Sequence, residues 1–136
     1  MKSGLTPLAQ RLAVLCCLAF GPPGTTWAEA AREGQHWPGL YMGLLPCAEC
    51  EGIAALLELS PEGQYRLREL YSGRSETAFV STGAFHWDAS GEVITLDGMS
   101  PLRLYKVGAG RLWALDLAGQ VIKGGLAERY VLTKAE

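Results

Sequence analysis

The chain is 136 residues long, a length that suits one domain. Its 12 basic and 14 acidic residues leave a formal charge of −2, and no basic cluster or aromatic-and-arginine stripe marks a nucleic-acid partner. No phosphate loop, Ser/His/Asp set or paired acid and base is recognisable, so the reading is of a protein that is not an enzyme.

The first residues form a separate unit. Lys2 and Arg11 supply positive charge, and residues 12–20 (LAVLCCLAF) are an uninterrupted apolar run. Gly21-Pro22-Pro23-Gly24 would stop a core helix at once. Small residues then end in Ala28 and Ala30. This order predicts a signal peptide over residues 1–30, with cleavage after Ala28 or Ala30. The run is too short to cross a bilayer, which takes ~20 residues, and no second apolar span follows. Cys16 and Cys17 lie inside the apolar run, with Leu15 before them and no small residue in front, so an acylation site is not expected. The expected product is an exported, unanchored, monomeric periplasmic protein. Removing Lys2, Arg11 and Glu29 with the signal leaves a balance of −3. A chain of about 100 residues buries roughly two-thirds of its unfolded surface, enough for one core without staples.

Residues 31–38 are expected to be a flexible lead-in, and residues 39–136 the folded domain. Eight short apolar stretches follow at intervals of about ten: 40–45, 53–59, 64–71, 78–87, 93–97, 102–107, 112–116 and 129–133. The turns between them have mechanisms. Ser60-Pro61-Glu62-Gly63 suits a type I turn. Asp88-Ala89-Ser90-Gly91 and Asp116-Leu117-Ala118-Gly119 let an Asp side chain cap the turn backbone. Gly108-Ala109-Gly110 joins two further strands. Phe79, Phe85 and Trp87 alternate with Val80, Thr82 and His86; Tyr65 and Leu67 with Arg66 and Arg68; Leu102 and Leu104 with Arg103 and Tyr105; Leu112 and Ala114 with Arg111 and Trp113. Glu69-Leu70 breaks phase, which predicts a bulge. Residues 53–59 are rich in helix formers, but seven residues between turn signals fit a strand better. Eight antiparallel strands joined by tight turns predict an all-β up-and-down barrel, which abolishes sheet edges. Its interior would hold side chains or one small ligand. Phe79, Phe85, Trp87 and leucines are the expected filling. Closure would bring Arg129 of the last strand over Tyr41 or Trp37.

Cys47 and Cys50 are the candidate site. The mature chain has no other cysteine. A C-x-x-C brings two sulfurs within reach of a disulfide or of one soft metal ion. Three readings stand. The first is a structural disulfide or thiol pair in the loop between the first two strands. The second is a copper site in which two thiolates hold Cu(I), with Met42, Met99, His36 or His86 as a third ligand if the fold brings one close. The third is a dithiol oxidoreductase with Cys47 attacking. Glu49 and Glu51 oppose the third, because negative charge disfavours a thiolate. A loop closed over so few residues adds little entropic stability.

The segment Tyr41-Met42-Gly43-Leu44-Leu45-Pro46-Cys47-Ala48-Glu49-Cys50-Glu51-Gly52-Ile53 resembles the NlpE family of envelope proteins, at its N-terminal domain. The likeness continues through Gly63-x-Tyr65, Tyr71-x-Gly73, Gly83-x-Phe85-x-Trp87, Ile94-x-Leu96 and residues 115–119, and closes over residues 126–132. Its first and last blocks are specific; the middle ones are generic β patterns. Glu49 stands where the family has Asp. The resemblance implies a lipocalin-like barrel in a Gram-negative cell envelope. It also implies a link to copper resistance and to stress signalling through an envelope sensor or another envelope protein. The family's founding members are lipoproteins with a second, C-terminal domain; here no acylation site and a single barrel are expected. The functional expectation is a non-enzymatic envelope protein acting in copper handling or stress sensing through the Cys47/Cys50 loop. A lipocalin-like carrier of a small ligand is the alternative, and a dithiol redox protein a third.

Overall fold

The computed structural model describes residues 36–135; residues 1–30, where a signal peptide was expected, residues 31–35 and Glu136 lie outside them. Eight strands follow in chain order: β1 (Gly39–Leu45), β2 (Gly52–Leu59), β3 (Gln64–Ser72), β4 (Phe79–Trp87), β5 (Val93–Leu96), β6 (Arg103–Gly108), β7 (Arg111–Ala114) and β8 (Val131–Lys134). Each pairs antiparallel with the next, and β8 returns to β1 to close the barrel. The up-and-down topology expected from the turn spacing is therefore the one formed. No helix among the described residues is long and apolar enough to cross a membrane.

The turns act through the groups expected of them. Asp88 Oδ1 accepts from the backbone N–H of Ser90, Gly91 and Val93 and from the Ser90 hydroxyl, the last at 2.6 Å. The Ser90 hydroxyl and the backbone donors hold the Asp88 carboxyl below its ordinary range, outweighing partial burial. Asp116 caps its turn in the same way, accepting from Ala118 and Gln120 N–H at 2.9 Å.

Residues 52–59 are a strand, because β1 and β3 pair with them on both sides. Ala55, Leu57 and Leu59 point into the core while Ala54 and Glu58 face out. The bulge expected at Glu69-Leu70 is absent. The β3–β4 ladder runs unbroken from Gln64↔Ala84 to Glu69↔Phe79, and Glu69 keeps the inward parity of Tyr65 and Leu67. It is tolerated inside because Arg103 reaches it from β6: one nitrogen, Nη2, lies 3.2 and 3.3 Å from the two carboxylate oxygens. Burial works most strongly against the charge on Arg103, and the Glu69 carboxylate together with Tyr105 and Tyr71 outweighs it, raising the guanidinium pKa. In β6, Tyr105 and Val107 are buried and Leu102 just before it is exposed, so the polar member of that alternation is the inner one.

Two further expectations are corrected at the barrel ends. Phe79 is not core. It lies at the end of β4, 60% exposed, its ring edge-on to Tyr71 at 5.8 Å. Trp37, in the segment expected to be loose, packs edge-on against Phe85 and Trp87 at 5.6 and 5.5 Å. It is fixed there by the fully buried Tyr41, whose hydroxyl donates to Trp37 O at 2.7 Å. Trp37, Phe85 and Trp87 thus fill the end of the barrel where β1 begins.

The seam between β1 and β8 rests on the register pairs Tyr41↔Lys134 and Met42↔Thr133. The chain before β8 is a 3₁₀ turn, Ala127–Arg129, so Arg129 is exposed and outside the strand. Lys134, not Arg129, stands across from Tyr41, and its ammonium donates to His36 O. Gly43 is the point of closest approach: a Cβ there would lie 2.7 Å from Val131 O and 2.9 Å from Leu132 Cδ2. The nearer obstacle is backbone, so it has no rotamer by which to move aside.

Three outcomes are expected. Gly43→Ala should destabilise the barrel by ~1–3 kcal/mol, the usual cost of overpacking, read by denaturant unfolding. Glu69→Leu should cost ~2–3 kcal/mol, below the range for a fully buried pair because Arg103 is partly solvated. Glu69→Leu with Arg103→Met should recover most of that loss, so a double-mutant cycle reads a coupling. Asp88→Ala should lower Tm at neutral pH. Because the folded Asp88 pKa is depressed, its contribution is present above the ordinary value of 3.8 and lost as pH falls through the lower, folded value. The Tm difference between wild type and variant should therefore shrink toward zero in strong acid, as thermal melts across that range would show.

Candidate functional site: the Cys47–Cys50 loop

β1 ends at Leu45, and Pro46, which has no N–H to donate, ends its ladder. Residues 46–51 then form the connection to β2, at the opposite end of the barrel from Trp37. Cys47 and Cys50 form a disulfide, with S–S 2.08 Å and Cα–Cα 5.3 Å. Both cysteines are half-buried, while Ala48, Glu49 and Glu51 are exposed. The C-x-x-C spacing thus produces the bridge that was one of its readings, in the connection where it was expected.

The loop is tied to the β3–β4 connection beside it. Glu51 N–H donates to Ser72 O at 3.0 Å. Gly73 has φ +81°, and a Cβ there would meet the Glu51 side chain at 2.9 Å. So Tyr71-x-Gly73 contains a glycine for two reasons, a left-handed backbone and room for Glu51. Arg74 donates to Glu49 Oε2 at 2.9 Å, with both side chains mostly exposed. Such a pair adds ~0–1 kcal/mol and orients the loop more than it stabilises it. Arg74 was not visible as a site residue in the sequence, since a lone arginine in a turn carries no motif.

The proposed accessory ligands are scattered. Met42 is half-exposed on the outer face of β1. Met99 packs against the core from the β5–β6 connection. His86 Nδ1 lies 2.7 Å from Asp97 Oδ2, on the barrel surface. His36 precedes β1, at the far end of that strand from Cys47. Among the described residues no three His, Cys, Asp or Glu side chains are gathered in a way that could hold a metal ion. Cys47 and Cys50, joined in the disulfide, would offer metal ligands only when reduced, since the thiolate is the metal ligand. The loop leads into a strand, so no helix N-terminus stands behind Cys47 to favour an attacking thiolate.

The comparisons with known proteins converge on one family. The family model for the NlpE N-terminal domain matches residues 41–125, which include the Cys loop. Lipoprotein NlpE of Escherichia coli K12 is 34% identical over 108 residues, covering 78% of this chain and 44% of that protein. The chain thus spans less than half the length of that relative. Among solved structures, a putative lipoprotein from Shewanella oneidensis superposes with a TM-score of 0.71 at 42% identity, covering 76% of this chain and 94% of the other. The Cpx pathway activator NlpE from E. coli superposes at 0.52 with 30% identity, over 65% and 47% of the two chains. With strands β2 to β7, the Cys pair and Tyr41-x-Gly43 all inside the matched segment, this chain belongs to the NlpE family, as a bearer of its N-terminal domain.

Proposed function

We propose that this protein is a non-enzymatic component of the cell envelope that reports copper or thiol-redox stress through the Cys47/Cys50 loop. The observation that carries the reading is the position of the disulfide: on the rim of a closed barrel, in a short connection, flanked by exposed acidic residues. A bridge over so short a loop contributes less than the ~3 kcal/mol of a 15-residue loop, so opening it leaves the barrel standing. Reduction by a dithiol takes two electrons and two protons, giving two thiols at the expense of the reductant's own disulfide. The two thiols lose their protons as they take up Cu(I), a soft ion that two sulfurs can hold. Glu49 and Glu51 add negative charge that attracts the cation.

The partner in this reading is an envelope sensor. The E. coli relative described as a Cpx pathway activator supports it, and the signal-peptide pattern supports the periplasm. The loop's contacts with Arg74 and Ser72 would change when the bridge opens, giving a partner a surface to distinguish.

Two experiments test the reading. Cys47→Ser with Cys50→Ser should fold and melt within a few degrees of wild type, yet lose tight Cu(I) binding in a titration of the reduced protein. It should also fail to restore copper tolerance to a deletion strain. A double variant that binds copper and protects cells like wild type would leave the loop purely structural. Intact mass of the exported protein should place the N-terminus at Glu29 or Ala31 with no lipid; an acylated Cys16 or Cys17 would instead make it an anchored lipoprotein.

A further inference from the structure

The two ends of the barrel are built differently. Where Trp37, Phe85 and Trp87 meet, the interior is filled. At the Cys-loop end a cleft of about 350 Å³ remains. Leu45, Ile53, Leu104, Leu115, Leu117 and Ile122 supply most of its aliphatic wall. Its outer wall is the connection of residues 115–130, whose ladder pairing is the isolated Leu115–Val121 bridge. The volume is at the small end of the range of ligand sites, which runs from ~300 to 1,000 Å³.

Glu69 and Arg103 also line this cleft, and their pairing is incomplete. One Arg103 nitrogen serves both carboxylate oxygens at the long end of hydrogen-bond distance, instead of two nitrogens making a fork. Among the described residues, Arg103 Nε is buried with no acceptor. A buried N–H left unpaired costs ~1–3 kcal/mol, so the missing partner is an acceptor. Glu69 already balances the charge of Arg103, so an anionic head group gains no net attraction there, whereas a neutral carbonyl does not need it.

We propose that this cleft binds a small neutral amphiphile: an aliphatic chain carrying one carbonyl-type acceptor, the acceptor at Arg103 and the chain beneath residues 115–130. The site is separate from the Cys47–Cys50 chemistry and stands or falls without it.

The test is a two-dimensional proton–nitrogen NMR titration of the full exported chain with methyl octanoate, with octanoate and octylammonium as charged comparators. Methyl octanoate should shift the Arg103 Nε–H and the amides of Leu104 and Leu115 saturably, and should bind more tightly than either comparator. Arg103→Lys keeps a positive charge beside Glu69 but removes Nε–H, and should weaken ester binding about tenfold. Ile122→Trp, at a half-buried loop position, should block the cleft and abolish it. Cys47→Ser with Cys50→Ser should bind the ester as wild type does, so failure of the copper reading would leave this result untouched. The proposal is overturned if no saturable shift occurs, if Arg103→Lys binds unchanged, if octylammonium binds best, or if the shifts fall on the exposed outer residues Leu40, Met42 and Leu44.

Discussion

Every other feature of this domain depends on the seam where β8 meets β1. A meander of short strands has two unpaired edges until its last strand returns to its first. Here the return is held by the Tyr41↔Lys134 and Met42↔Thr133 pairs, and by Ala135 N–H donating to Leu40 O at 2.7 Å. It is favoured by the lack of a side chain at residue 43, where a Cβ would lie 2.7 Å from Val131 O. Once the seam closes, alternate residues of all the strands face one interior. Tyr41, Leu57, Leu67, Ile94, Leu96, Leu112 and Leu132 become fully buried together.

Closure also divides the molecule into a sealed end and a working end. At the sealed end, aromatic rings pack edge-on, and the Trp37 carbonyl is satisfied by Tyr41. At the other end lie the disulfide, the Glu49–Arg74 pair, the Glu69–Arg103 pair with its buried carboxylate, and the cleft beside them. A buried ion pair is not an efficient way to stabilise a barrel, since well-packed apolar residues of similar volume usually do as well or better. Its placement beside a cleft, with one guanidinium N–H unsatisfied, is better understood as polarity kept for recognition. The rigid sealed end gives the Cys loop and the cleft a fixed platform, so chemical change at the rim need not be paid out in unfolding.

The family relationship and the geometry support each other at the same residues. Tyr41 closes the sealed end, Gly43 permits the seam, Pro46 ends the first strand, and Gly52 starts the second with no side chain where Leu44 packs. Gly73 makes room for Glu51. The motif that marks the family is therefore as much a description of how the barrel closes and holds its rim loop as it is of two cysteines.

Much of this was determined by local sequence. Period-two alternation in Tyr65–Leu67 and Leu112–Ala114, and the Asp-x-x-Gly turns, depend on side chains pointing to alternate faces and on an Asp reaching backbone N–H groups two to five residues on; both are short-range and readable. The Cys47–Cys50 bridge was one of the outcomes that its spacing allowed. What tertiary structure decided was everything set by residues distant in the chain. Residues 52–59, good helix formers, became a strand because β1 and β3 offered ladders on both sides. Glu69 looked like a break in phase because a carboxylate pointing inward is costly unless a cation meets it, and that cation lies 34 positions away at Arg103. Phe79 had the parity of a core residue, but parity fixes only the face of the sheet, not the height along the barrel, and at the rim that face opens to solvent. Trp37 had no periodic pattern to place it, and only the finished barrel supplied the aromatic end it seals.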